Sequence, residues 1–287
     1  MRKILALLLV LLGGPAYALP PGCTASACAS GEFLFLSWPN LMADLVAQAA
    51  SGSSTYFDQG INNLGDAATA YAWKTTSAPT LTANADGKGN AAWTFAAGSN
   101  NVAANFTIGG AQAWPIAGVF SFAIVADLSA SLPSTGTTVY PLASTGLAAA
   151  HGWVLGVQRQ SGSNYALCWI PTGGAVCTIL SGTLSTGTPH VIVFAWSSVD
   201  QLVGACIDGG VSGKCATSDW TTSSISASIQ SSTLTDATLQ IGSSGSSSYT
   251  TNYYGNIYRA MLFKESLQNL AKAAQVAYLQ AVLAVKY

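Results

Sequence analysis

Charge is what this 287-residue chain has least of: 7% of its residues are charged, against roughly a quarter in an average soluble domain. Ten basic and eleven acidic residues leave a net charge of −1. No stretch gathers Lys and Arg into a basic surface, which excludes nucleic acid as a partner. Glutamate is scarcer still. Glu32 and Glu265 are the whole complement, and neither has an Asp or Glu at alternate positions nearby. Retaining glycoside cleavage needs two carboxyls about 5 Å apart, so it has no acid pair to use here. Histidine is limited to His151 and His190, and the cysteine spacings do not fit a zinc site. After the first residues no uncharged apolar run reaches the ~20 residues that span a bilayer.

Half of the residues are apolar, and Ser, Thr, Gly and Ala replace the missing charge. That balance suits secreted or particle-bound β-proteins. Residues 1–18 read as a signal peptide: Arg2 and Lys3, then the apolar run Ile4 to Leu12, then Ala16-Tyr17-Ala18 as a cleavage site. Its removal leaves 8 basic and 11 acidic residues, a net charge of −3. A retained anchor is the rival reading. A lipoprotein signal at Cys23 is disfavoured by Pro20, Pro21 and Gly22. The expected location is secreted, periplasmic or virion-associated, with no integral membrane span once the signal is removed.

Export favours oxidised cysteines. The six form close pairs: Cys23 with Cys28, Cys168 with Cys177, and Cys206 with Cys215. In "CWIPTGGAVC" a loop at Pro171 to Gly174 puts Cys168 opposite Cys177. In "CIDGGVSGKC" a turn at Gly210-Val211 puts Cys206 opposite Cys215. Opposed strand residues lie within disulfide reach.

Residues 19–78 differ from the rest and read as an N-terminal extension, partly helical, with a short helix from Asn40. Residues 79–265 are short apolar or alternating runs punctuated by Gly, Ser, Thr and Asn, the mark of an all-β sandwich. "FSFAIVADL" and "HVIVFAW" are apolar on both faces and should be central strands covered on both sides.

Residues 266–287 switch to a 3.6 period and read as a C-terminal helix. Leu267, Leu270, Ala271, Ala274, Tyr278, Ala281, Val282 and Val285 form the wider stripe, expected to dock on a sheet, with Ser266 as N-cap. Val276, Leu279 and Leu283 form a narrower stripe, whose cover is the N-terminal segment, a neighbouring subunit or a lipid surface.

Three stretches appear in the order of a known architecture: Thr82–Phe106, Pro189–Gly213 and Leu239–Leu267. They supply an opening strand pair with Trp93 and Phe95, a His-x-Val strand with an Asp-Gly hairpin, and an Ile-Gly strand, loop, Gly-x-Ile strand and closing helix. In this the chain resembles the laminin G-like, concanavalin A-type lectin–glucanase jelly rolls of bacterial and phage proteins. The resemblance implies a two-sheet antiparallel jelly-roll sandwich with a C-terminal helix. The glutamate–aspartate–glutamate pattern of that family's glucanases is absent, so no catalytic residue is assigned and the chain is expected not to be an enzyme.

No cofactor is assigned. Some laminin G-like domains bind calcium at the sandwich rim, and Asp127, Asp200, Asp208, Asp219 and Asp236 are the residues to consider. They are scattered, and Asp208 reads more simply as a turn residue. His190 reads as a structural histidine. Exposed aromatics beside polar groups suit sugar binding, which singles out Tyr249, Asn252, Tyr253 and Tyr254 in one Gly/Ser loop, Asp219 with Trp220, and Trp114. The expected function is a non-catalytic lectin-like module adhering to a glycan or to a cell or virion surface. The alternatives are a structural decoration or assembly subunit of a phage or extracellular particle, a homo-oligomer through its helix, and an unrecognised hydrolase on the same scaffold.

Overall fold

The computed structural model describes residues 41–47, 71–77, 79–95, 103–108, 119–132, 138–144, 153–161, 164–171, 177–197, 200–224, 239–242, 253–263, 265–268 and 272–287. Among them two antiparallel sheets stack into a jelly-roll sandwich. The first sheet contains β1 (Leu41–Val46), β3 (Thr80–Thr82), β4 (Ala92–Phe95) and β6 (Val119–Leu128). It continues with β11 (His190–Ser197), β12 (Leu202–Ile207), β13 (Thr221–Ser224) and β15 (Gly255–Phe263). Its order is β13-β12-β11-β6-β15-β4-β3, with β1 also on β15. The second sheet contains β2 (Tyr71–Ser77), β5 (Ala103–Ile108), β7 (Val139–Ser144) and β8 (Trp153–Ser161). It is completed by β9 (Asn164–Pro171), β10 (Thr178–Leu184) and β14 (Leu239–Ile241), in the order β10-β9-β8-β7-β14-β5-β2.

The central strands obey the period of two. Phe120, Phe122, Ile124 and Ala126 of β6 join Ile192, Phe194 and Trp196 of β11 between the sheets. Ala123 and Val125, with Val191 and Val193, point to the outer face. The inner layer is built on aromatic contacts: Phe120 stacks on Trp153 at 5.4 Å, Trp153 on Trp169 at 5.3 Å, and Trp169 on Phe194 at 5.1 Å.

The outer face is apolar because a helix covers it. Helix α1 (Ala273–Lys286) lays Val276, Leu279 and Leu283 against Met261, Phe263 and the outward valines. This corrects the expected docking stripe. The narrower stripe docks because it carries the bulky aliphatics, whereas the wider one is built largely of alanine and buries less area per residue. Ala274, Tyr278, Ala281 and Val285 of the wider stripe are exposed. The helix also starts later than expected. Ser266 is not its N-cap; Lys272 holds that position, and Leu267 is buried in a turn instead. The reason is a clamp: Ser121 Oγ of β6 donates to the Glu265 carbonyl and accepts from Leu267 N–H, which holds the chain in a turn.

Two further expectations change. Leu41–Val46 is a strand, not a helix from Asn40. β4 pairs only with Gly255 to Ile257 of β15, and β1 takes the remainder of that edge, from Arg259 to Phe263. Buried backbone groups need partners, and the edge imposes strand geometry on the segment. β2, also within the presumed extension, pairs with β5 of the second sheet. Both described disulfides form, with Cα separations of 5.5 Å for Cys168–Cys177 and 5.8 Å for Cys206–Cys215. Their pairing geometry differs from the expectation. Ile179, not Cys177, lies opposite Cys168, and Cys215 sits in a turn at φ 51° beyond the end of β12. Residues 1–18, with the signal and its cleavage site, and the Cys23–Cys28 pair lie outside the described residues.

Candidate functional site

A cleft of about 340 Å³ opens beside the outer face of the first sheet. One wall is the last part of α1, with Gln280, Ala284 and Tyr287. A second is the β3–β4 turn, with Asp86 and Lys88. The third is the loop entering β11, Gly187 to Pro189, with Asp208 where β12 ends.

The β3–β4 turn is organised by its own side chains. Asp86 accepts from Lys88 N–H at 2.8 Å, Asn90 N–H at 3.2 Å and the Asn90 side-chain amide at 2.6 Å. Burial would raise the Asp86 pKa, but these donors outweigh it and hold the carboxyl below its usual value. The same turn ties down α1. Asn90 Nδ2 donates to the Lys286 carbonyl at 2.8 Å, and Lys88 Nζ donates to the Tyr287 carbonyl at 2.6 Å. Carbonyls at a helix C-terminus lack intrahelical donors, and a cation there is favourable.

Asp208 forms the opposite wall. Its φ of 50° turns the chain out of β12, and one carboxylate oxygen accepts from Val191 N–H at 2.8 Å. The other lies 2.5 Å from His190 Nδ1. His190 Nε2 in turn lies 3.0 Å from Ser185 Oγ and 3.1 Å from Ser185 N. The bond order is that of a Ser-His-Asp relay, a partnership that the sequence, with His190 and Asp208 18 positions apart, did not place. Its surroundings differ from a relay's. Nε2 lies within 3.2 Å of both the N–H and the carbonyl of Ser185, so that residue's backbone competes with its hydroxyl for the nitrogen a general base must use. Neither Ser185 nor His190 lines the cleft.

Gln280 is the unexpected member. It is 2% exposed, yet it is one of the residues lining the cleft. Its nearest polar neighbour is Cys215 Sγ, 3.9 Å from Oε1. That sulfur is in a disulfide and carries no proton to donate. Among the described residues Oε1 thus has no conventional hydrogen-bond donor.

The residues chosen from sequence are not brought together here. Tyr253 is a correction: it is 1% exposed, its ring packs edge-on against Phe95 at 6.2 Å, and its hydroxyl donates to the Asp127 carbonyl at 2.6 Å. A side chain so enclosed cannot stack on a sugar. Tyr254 is half-buried against the inner core. Asp219 accepts from Ser212 and Ala216, and Trp220 Nε1 donates to the Cys215 carbonyl at 3.1 Å, so both brace the disulfide hairpin. Trp114, Tyr249, Asn252 and His151 lie outside the described residues, as does Asp236.

Of the aspartates considered for calcium, Asp127 is buried and accepts from Tyr258 OH at 2.6 Å and from the amide groups of Asn256. Burial first, then that bond, raises the Tyr258 pKa far above its usual value. Asp200 accepts from Ser197 Oγ at 2.7 Å. Among the described residues no three His, Cys, Asp or Glu side chains converge as metal ligands do. No described helix is long and apolar enough to cross a membrane.

No protein-family model matches the chain. No curated protein matches it. Among solved structures it is similar to a Trypanosoma rangeli sialidase in complex with 2,3-difluorosialic acid, at 15% identity and a TM-score of 0.49, over 84% of this chain and 33% of that one. The chain therefore spans about a third of the sialidase's length. It is also similar to a Limulus polyphemus pentraxin, at 11% identity and a TM-score of 0.41, over 55% of this chain and 69% of that one. A third likeness is to a Ruminococcus gnavus sialidase CBM40 bound to α2,3-sialyllactose, at 12% identity and a TM-score of 0.36, over 55% of this chain and 82% of that one. Likeness at this level bears on neither activity nor ligand, which rest on the cleft's own chemistry.

Proposed function

We propose that this chain is an exported, non-catalytic, lectin-like module that binds a glycan in the cleft between α1, the β3–β4 turn and the β11 entry loop. The observation that carries this reading is Gln280, 2% exposed and with no proton donor within reach of its Oε1 among the described residues, at the wall of a cleft that Asp86 and Asp208 also line. A buried amide is satisfied at little cost by a ligand hydroxyl, which both donates and accepts. The volume is at the small end for ligand sites and suits a mono- or disaccharide end. The module is read as non-catalytic because the backbone N–H and carbonyl of Ser185 crowd His190 Nε2, and neither His190 nor Ser185 lines the cleft. Two disulfides favour an oxidising, extracytoplasmic setting.

The test is a glycan array followed by calorimetry on the full chain. Ala284 is exposed at the cleft wall, so Ala284→Trp fills the cleft from outside the core. Binding should fall at least about tenfold while the melting temperature stays within a few degrees. Undiminished binding by Ala284→Trp sends the site elsewhere. An empty array sinks the reading. One observation favours assembly as a second role: Tyr278 and Val285 of α1 are 37% and 85% exposed and share a face with Ala274 and Ala281.

A further inference from the structure

We infer that the outward face of α1 pairs with the same face of a second copy of this chain, antiparallel and about a two-fold axis. This gives the assembly role noted above a partner and a register, and it does not depend on glycan binding. From Ala273 to Val285 the helix carries no charge. A surface helix ordinarily turns charged side chains to water, and one that is apolar all round is covered on both faces. Here Val276, Leu279 and Leu283 are covered by the first sheet. On the opposite face Tyr278 is 37% exposed and Val285 85%, with Ala274 and Ala281 exposed in line with them. These four positions are spaced by four, three and four residues, which lays them in one stripe, the seam of a two-helix contact.

The stripe is complementary to itself. Its four positions are symmetric about the midpoint between Leu279 and Gln280. Laid antiparallel on a second copy, Tyr278 of one faces Ala281 of the other, and Val285 faces Ala274. Each large side chain thus meets a small one, in both directions, as a two-fold contact requires. The antiparallel course also sets the negative C-terminal end of each helix beside the positive N-terminal end of the other. Lys286 of one copy then nears Lys272 of the other, but Glu265 lies 2.8 Å from Lys272 Nζ and offsets that charge. A lipid surface fits less well, because interfacial helices are rich in Lys and Arg beside their apolar face and this one has only Lys286. The helix offers a strip about 21 Å long and about 10 Å wide, well short of the ~800 Å² that each partner buries in a stable dimer. Pairing is therefore weak and concentration-dependent. Gln280 and Ala284, which line the cleft, lie to one side of the stripe, and a two-fold axis across it keeps both clefts on that side of the pair. On the glycan reading above, a pair then presents two sites toward one surface.

The experiment is sedimentation equilibrium on the full chain, with Tyr278→Lys and Ala281→Glu as a charge-swap pair. Both positions are exposed, so the melting temperature of each variant should stay within a few degrees of wild type. Wild type should be a monomer in equilibrium with a dimer, half-paired at on the order of 0.1 mM. Each single variant sets like charges close together across the axis and should weaken pairing at least about tenfold. An equimolar mixture of the two should recover it, because the new lysine of one chain faces the new glutamate of the other, and added salt should weaken the mixed pair. Tyr278→Lys mixed with Ala274→Glu, whose charges lie about two turns apart in this register, should recover far less. A wild type that stays monomeric up to about 1 mM overturns the inference, as do single variants that pair like wild type. Equal recovery in both mixtures, or in neither, overturns the antiparallel register and the inference with it. A monomer that instead sediments with phosphatidylcholine vesicles assigns the face to lipid and overturns it too. None of these outcomes touches glycan binding, and an empty array leaves the pairing standing.

Discussion

At the scale of single residues, His190 shows two opposing effects. Burial pulls its pKa down, but the bond and charge of Asp208 outweigh that, helped by Ser185 and by the field of Asp127. The net shift is upward from 6.5. A raised folded-state pKa means the protonated form favours folding. That contribution is fully present below about pH 6.5 and is lost as pH rises through the folded-state value. Thermal unfolding at a series of pH values should show wild-type stability declining across that window. His190→Gln should flatten the decline and lower stability on its acid side. Stability that rose through neutrality in the wild type would mean the neutral imidazole is the native form.

Residue-level legibility followed chemistry that is local in sequence. Asp208 was readable as a turn residue because Asp-Gly favours positive φ. Its second task, holding His190, depends on the register of β11 against β12 and was not readable. Tyr253 was misjudged because a Ser- and Thr-rich setting looks solvated, while its burial comes from Phe95 across the chain. Gly242 shows the long-range constraint most directly. Its φ is 76°, and a Cβ there would lie 2.2 Å from the Phe95 ring. The Ile-Gly pattern was visible, but the ring that excludes a side chain was not.

At the scale of elements, the strands of the sandwich announced themselves by alternation or by turn residues at their ends. Val119–Leu128 and His190–Ser197 are the clearest, since a strand apolar on both faces requires cover on both. β1, β2 and the short edge strands β3 and β13 carried weaker signals, because an edge takes its conformation from the strand it joins. For α1, apolar positions were easier to count than side-chain volume, so the docking face was misassigned. The corrected face makes a measurable claim. Leu279→Ala removes a fully buried side chain and should cost about 2–4 kcal/mol in denaturant unfolding. A cost below about 1 kcal/mol would mean the helix is not seated as described.

At the scale of the whole molecule, the sandwich was legible because strand density and turn chemistry recur along most of the chain. The cleft was not legible. It is assembled from four separate stretches of the chain, and Asp86, Lys88, Gln280 and Tyr287 form no motif. The exposed face of α1 bears on assembly. Light scattering should give a monomer if the chain acts alone. A larger mass that Val285→Lys reduces would favour the assembly role, since a charge at an apolar contact is costly.

The placement of β15 sets when this architecture can close. β15 is the partner of β6, β4 and β1, all made well before it. A growing chain that has not yet reached Gly255 therefore leaves three earlier strands waiting with open hydrogen-bonding edges. Such contacts between distant segments make for slow folding. The polypeptide must stay pliable until the segment that forms β15 has been synthesised.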